Sequence, residues 1–208
     1  MKQQIDLATW NRREHFTFFS SFDEPFFGLV APVECTRAQA EAKRLGVSFF
    51  LYYLYHSVQA ANQIPEFRYR IEDGHVYCYD RVHASATIGR PDHTFGFSFI
   101  EQHDSLEEFV AAAKAEVAAV QASTGLRLSE TTARPDVLHC SALPWVRFSG
   151  LTHARSFSHP DSCPKISYGQ TYQENGATWM PVSVNVHHGL ADGYHVGQFL
   201  AAFQERLA

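Results

Sequence analysis

Apolar positions between residues 37 and 62 recur at helical spacing, in two blocks divided by Gly46-Val47-Ser48. Thr36 with Gln39 three residues on has the pattern of a capping box, and Gly46 is a C-terminal stop, which together predict a short helix over 37–45. Ser48 opens a second helix through Phe49, Leu51, Tyr52, Leu54, Tyr55, Val58 and Ala61. It is apolar on most faces and bounded by Pro65, so it is expected to be buried. The period then changes to two. Residues 67–71 and 76–79 flank Asp73-Gly74, a strong hairpin signal, and Phe95, Phe97 and Phe99 alternate as a strand does. Asp104 with Glu107 is the next cap, ahead of Leu106, Phe109, Val110, Ala113, Val117 and Val120 on one helical face ending before Gly125. Residues 137–142 and 165–172 read as strands, Asn175-Gly176 as a turn, and Val182, Val184 and Val186 as a third strand. Val196, Phe199, Leu200, Phe203 and Leu207 make a C-terminal helix. Strands and helices interleave without repeat, linker or low-complexity tract. The expected class is therefore α/β, a two-layer sandwich of a mixed β-sheet and helices, as one domain over residues 1–208.

Composition narrows the partners. Hydrophobic residues make up 45% and charged residues 19% of 208, which suits one packed core. Seventeen Lys and Arg against 22 Asp and Glu give a net charge of -5, so no overall basic field attracts nucleic acid or anionic lipid. The first residues, Met1 to Asp6, lack the apolar stretch of a signal peptide. No segment approaches the ~18 consecutive apolar residues of a membrane span, so a cytoplasmic location is expected. Cys35, Cys78, Cys140 and Cys163 are far apart with no CxxC pair, and are expected to be free, buried thiols rather than a zinc or redox motif.

The segment with most chemistry is His187-His188-Gly189-Leu190-Ala191-Asp192-Gly193, between the last strand and the last helix. Successive strand side chains point to opposite faces, so only one of the two histidines can serve a given site. Three readings stand. The pair is a plain strand end with a turn Asp-Gly; or His188, Asp192 and His195 hold a metal; or one imidazole removes a proton from a hydroxyl as that oxygen attacks a carbonyl.

Three blocks in order choose among them. Residues 187–193 have the form HHxxxDG; Trp10-Asn11-Arg12-Arg13-Glu14-His15-Phe16 resembles WxRxEHF; and Ser141-Ala142-Leu143-Pro144-Trp145-Val146 resembles SALPWV. Together they resemble the chloramphenicol acetyltransferases, within the CoA-dependent acyltransferase superfamily, along nearly the whole chain. The resemblance implies an acetyl-CoA-dependent O-acetyltransferase that acts by direct attack, with no acyl-enzyme and no metal. His188 is then the general base and Ser141 the oxyanion donor. Asp192 pairs with Arg12, Arg13 being the near alternative, and Phe19, Phe27, Phe95 and Phe97 line the acceptor site. Trp145 and Ser167 match positions on the side of acetyl-CoA, and the protein is expected to be a homotrimer with sites at its interfaces and a small hydroxylated molecule as acceptor. No GxSxG elbow or nucleophilic cysteine context speaks for a covalent route. The chain departs from the family pattern at Ala191 and Tyr194, where cysteine and phenylalanine are common, and at Gln170-Thr171, where Lys-Tyr is common near the coenzyme. Two alternatives remain: an acyltransferase core related to those of 2-oxo acid dehydrogenase complexes, and a non-catalytic trimeric small-molecule binder. The first lacks the expected lipoyl domain and linkers; the second would need His188 or Ser141 to be lost, and both are present.

Overall fold

The computed structural model describes residues 1–156 and 161–208. In chain order the elements are β1 (Lys2–Gln4), α1 (Arg13–Phe19), β2 (Phe26–Glu34), α2 (Thr36–Arg44), α3 (Phe49–Asn62), α4 (Pro65–Arg68), β3 (Tyr69–Glu72) and β4 (His75–Tyr79). They continue with β5 (His83–Gly89), β6 (Phe95–Phe97), α5 (Leu106–Gln121), β7 (Val137–Leu143), β8 (Lys165–Gly169), β9 (Tyr172–Glu174), β10 (Ala177–His187) and α6 (Gly193–Leu207). The main sheet runs β2-β10-β8-β7-β5-β6, with β9 beside β10. It is mixed: β5, β7 and β8 are parallel, while β10 is antiparallel to both β2 and β8. A second sheet, β1-β4-β3, stands apart.

The core lies where helices cover the main sheet. Leu54 and Val58 of α3, Phe109 of α5, Phe199 and Phe203 of α6, and Val182 and Val184 of β10 are all fully buried in one cluster. Each such side chain stabilises the fold by roughly 1.5–3 kcal/mol relative to exposure. Helix α3 is central, packing on α2, α5 and α6, as its apolar faces demand. Among the described residues no helix is long and apolar enough to cross a membrane.

Several local expectations change. Thr36 does not cap α2; its hydroxyl accepts the Thr178 N–H at 2.8 Å and so ties the helix to β10. Gly46, at φ +66°, does end α2, with the Val47 N–H reaching back to the Ala42 carbonyl. The cap of α5 is Ser105 rather than Asp104, accepting the Glu108 N–H. Phe67 and Arg68 belong to the single turn α4, because Pro65 restarts a helix before the hairpin begins. The hairpin turns at Asp73 and Gly74, both at positive φ, but it pairs with β1 and not with the main sheet. Phe99 falls beyond β6. Residues 165–172 divide into β8 and β9 at Gln170, whose N–H goes to the Val146 carbonyl at 2.9 Å instead of a ladder partner. Five elements had no clear signal in the pattern: β1, α1, β2, α4 and β5. All four cysteines are free; three are buried and Cys78 is half-buried.

Candidate active site

Alternation carries Val182, Val184 and Val186 into the core, so the last strand residue, His187, faces the other way. It is buried, its Nδ1 accepts the Gly189 N–H at 3.1 Å, and its ring meets Phe26 edge-on at 5.7 Å. Burial, with Arg155 second, pushes its imidazole down to about 4, so it is neutral at pH 7. Space at Gly189 is tight: a Cβ there would lie 3.1 Å from the His187 ring and 3.2 Å from the Phe16 backbone.

His188 is placed differently. Its ring stacks on Phe19 at 4.0 Å between centroids and 11° between planes, and meets Phe27 at 4.5 Å. The backbone N–H donates to the Pro25 carbonyl at 2.8 Å. Nδ1 is buried with no hydrogen-bond partner. α1 and β2 thus fix the ring by aromatic contact on both sides.

Arg12 holds the loop that follows. It is buried, and its guanidinium donates to Asp192 Oδ2 at 2.7 Å and to the His188 carbonyl at 3.2 Å, whereas Arg13 is exposed. Asp192 is the N-cap of α6: Oδ1 accepts the Tyr194 N–H at 3.0 Å, and its own N–H donates to His195 Nδ1 at 3.1 Å. Burial alone would raise the Asp192 carboxyl; the Arg12 hydrogen bond, the nearby His195 and the Tyr194 N–H outweigh it and hold it below the usual carboxylate range. His195 Nε2 lies 3.5 Å from Glu66 of α4, so this histidine serves the cap. Among the described residues no three His, Cys, Asp or Glu side chains are gathered to hold a metal, and the set His188, Asp192 and His195 is not one.

Ser141 sits on β7 with its Oγ 3.3 Å from Thr87 Oγ1 of β5. It is in register with Ser167 of β8, which in turn faces Ser183 of β10. Ser167 is fully buried and its hydroxyl has no partner. The ladder separates the two chemical residues: two strand spacings are about 10 Å, and the five residues from Ser183 to His188 add about 17 Å along the strand. Within one chain Ser141 and His188 do not meet. The four phenylalanines divide in the same way: Phe19 and Phe27 lie against His188 beside the β2 edge, while Phe95 and Phe97 pack on each other at 5.7 Å on β6, the opposite edge.

A cavity of about 780 Å³ opens beside Ser141, lined by the first turn of α3, by Thr87 to Gly89, by one face of α5, and by Trp145, Gln170 and Thr171. Trp145 is 79% exposed at its rim. Ser167 does not line it. Thr87 does, one hydrogen bond from Ser141. Sequence reasoning overlooked Thr87, Glu66 and the capping role of His195; the first lies on β5, whose small and polar residues disguise a strand buried on both faces.

A sequence profile described as chloramphenicol acetyltransferase matches residues 2–204. Chloramphenicol acetyltransferase 2 of Escherichia coli is 30% identical over 202 residues, covering 97% of this chain and 94% of that protein. The protein of the same description from Haemophilus influenzae is 29% identical over the same span. A solved chloramphenicol acetyltransferase superposes with a TM-score of 0.93 at 31% identity, over 100% of both chains. A probable dihydrolipoamide acetyltransferase from Listeria monocytogenes, 13% identical with a TM-score of 0.69, shares the fold.

Proposed function

This chain belongs to the chloramphenicol acetyltransferase family and is an acetyl-CoA-dependent O-acetyltransferase, and on that premise we propose that His188 is its general base and chloramphenicol its acceptor. The observation that supports this best is the imidazole clamped between Phe19 and Phe27, on a loop whose backbone and Asp192 are both held by Arg12. A ring so fixed loses little freedom when it accepts a proton, and its apolar walls suit an aromatic acceptor.

In the proposed reaction His188 Nε2 takes the proton of the acceptor hydroxyl as its oxygen attacks the thioester carbonyl of acetyl-CoA. The Ser141 hydroxyl donates to the oxyanion that forms. Collapse breaks the carbon–sulfur bond, and the protonated His188 returns its proton to the departing thiolate, so the base is regenerated. Asp192 and Arg12 are positioning residues, since neither reaches the reacting atoms. The separation of Ser141 from His188, and of Phe95 and Phe97 from Phe19 and Phe27, supports a site assembled from two copies of the chain. A homotrimer, in which each interface brings a β2 edge of one copy to the Ser141 side of the next, satisfies both separations at once.

The test is release of free thiol from acetyl-CoA with chloramphenicol, against a panel of other hydroxylated aromatics. Turnover with chloramphenicol and formation of its O-acetyl ester are expected. Turnover only with other members of the panel would remove chloramphenicol as the acceptor and keep the chemistry.

A further inference from the structure

The 780 Å³ cavity beside Ser141 has aromatic and aliphatic walls, and one charged side chain lines it: Lys114, on α5. A ligand entering there as an acyl-CoA brings a diphosphate and a 3′-phosphate, into a protein whose net charge of -5 opposes it. Gln170 and Thr171, which also line it, hydrogen-bond but carry no charge. Lys114 is exposed, and its ammonium is not taken up by the carboxylates of its own helix. Glu107 and Glu108 lie almost two turns away, and Glu116, two residues on and so on another face, is bonded to Arg127 and to the Phe99 N–H. Val117, Ala118 and Gln121, three, four and seven residues beyond Lys114, line the same cavity, which puts the ammonium on the face of α5 that the ligand would meet.

We propose that Lys114 recognises a phosphate of the coenzyme, as the cation that anchors acyl-CoA in this cavity. The proposal rests on the acetyl-CoA reading above and assigns a residue that the motifs do not touch. Lys114 acts on binding alone, as a flexible point charge that meets a phosphate and not the thioester. Its contact is therefore the same in ground and transition states, and its loss raises KM for acetyl-CoA without lowering kcat.

Calorimetric titration of the full-length protein with CoA tests this without any acceptor. Lys114→Ala is expected to weaken CoA binding about fivefold at low ionic strength, with the difference shrinking in added salt, and Lys114→Arg to stay within about twofold of the parent. Dephospho-CoA and pantetheine identify the phosphate. A penalty that vanishes with dephospho-CoA assigns the 3′-phosphate; one that persists there and vanishes with pantetheine assigns the diphosphate. Equal affinity of Lys114→Ala and parent for CoA overturns the proposal while leaving the coenzyme reading intact, and so does a penalty of the same size with pantetheine. Failure of the parent protein to bind CoA at all refutes the coenzyme reading itself.

Discussion

At the scale of the residue, adjacent histidines have opposite environments because a strand turns them to opposite faces. His188→Ala is expected to lower kcat by at least about 100-fold, the usual cost of losing a general base. His187→Ala removes a buried ring that accepts the Gly189 N–H, so its effect is expected in melting temperature, with kcat within about tenfold. Equal kcat losses in the two variants, both folded, would contradict the assignment. Ser141→Ala is expected to lower kcat about 100-fold at unchanged KM for acetyl-CoA, since an oxyanion bond strengthens only as charge develops. A raised KM at full kcat would make Ser141 a binding residue instead. Asp192→Ala leaves the buried Arg12 guanidinium without its carboxylate. About 2 kcal/mol of stability is expected to go, less than for a fully buried pair because Asp192 is a third exposed. Thermal melts of both single variants and the Arg12→Ala/Asp192→Ala pair check it: the double loss should fall short of the sum.

At the scale of the element, α3 and the β10 end each hold a histidine that folding keeps neutral. His56, between Tyr52 and Tyr55 with neither ring nitrogen bonded, is pushed down to about 4 by burial first and by Arg206 second. His187 is lowered to about 4 in the same way. The unfolded chain binds these protons near pH 6.5, the folded one only near 4. Between those values the unfolded state holds more protons, so stability is complete above about pH 6.5 and falls as pH drops toward 4. Melting temperature recorded from pH 7.5 to 4.5 is expected to decline across that window, and His56→Leu to decline less steeply. A slope unchanged in His56→Leu would remove this histidine from the account.

At the scale of the whole molecule, the decisive fact is distance. The chain places His188 beside its β2 edge and Ser141, with Phe95 and Phe97, toward the β6 edge. Mixing two inactive variants therefore tests the assembly, provided each loses a different half. Phe27→Ala is no partner for His188→Ala, because Phe27 lies on His188 itself. Ser141→Ala is. Co-refolded in equal amounts, the two are expected to recover about a quarter of parental activity, the share of head-to-tail interfaces that combine both intact residues. No recovery, or a fully active monomer by light scattering, would refute the shared site.

What the sequence by itself determined was local. Period-3.6 and period-2 runs gave α3, α5, α6 and the strand through Val182 to Val186, since burial on one face writes itself into spacing. Asp73-Gly74 and Asn175-Gly176 gave their turns because few residues accept positive φ. Three ordered motifs located the histidine loop, its arginine and Ser141. The tertiary structure decided what spacing does not encode. Thr36 and Asp104 looked like caps, yet one hydroxyl was drawn to β10 and the other role passed to Ser105. β2 and β5 escaped notice because neither alternates cleanly: the edge strand β2 carries apolar residues at successive positions, and β5 is buried on both faces. Only the sheet order set Ser141 apart from His188, and only the packing of α5 turned Lys114 to the cavity, because both depend on which strands and helices become neighbours across long stretches of chain.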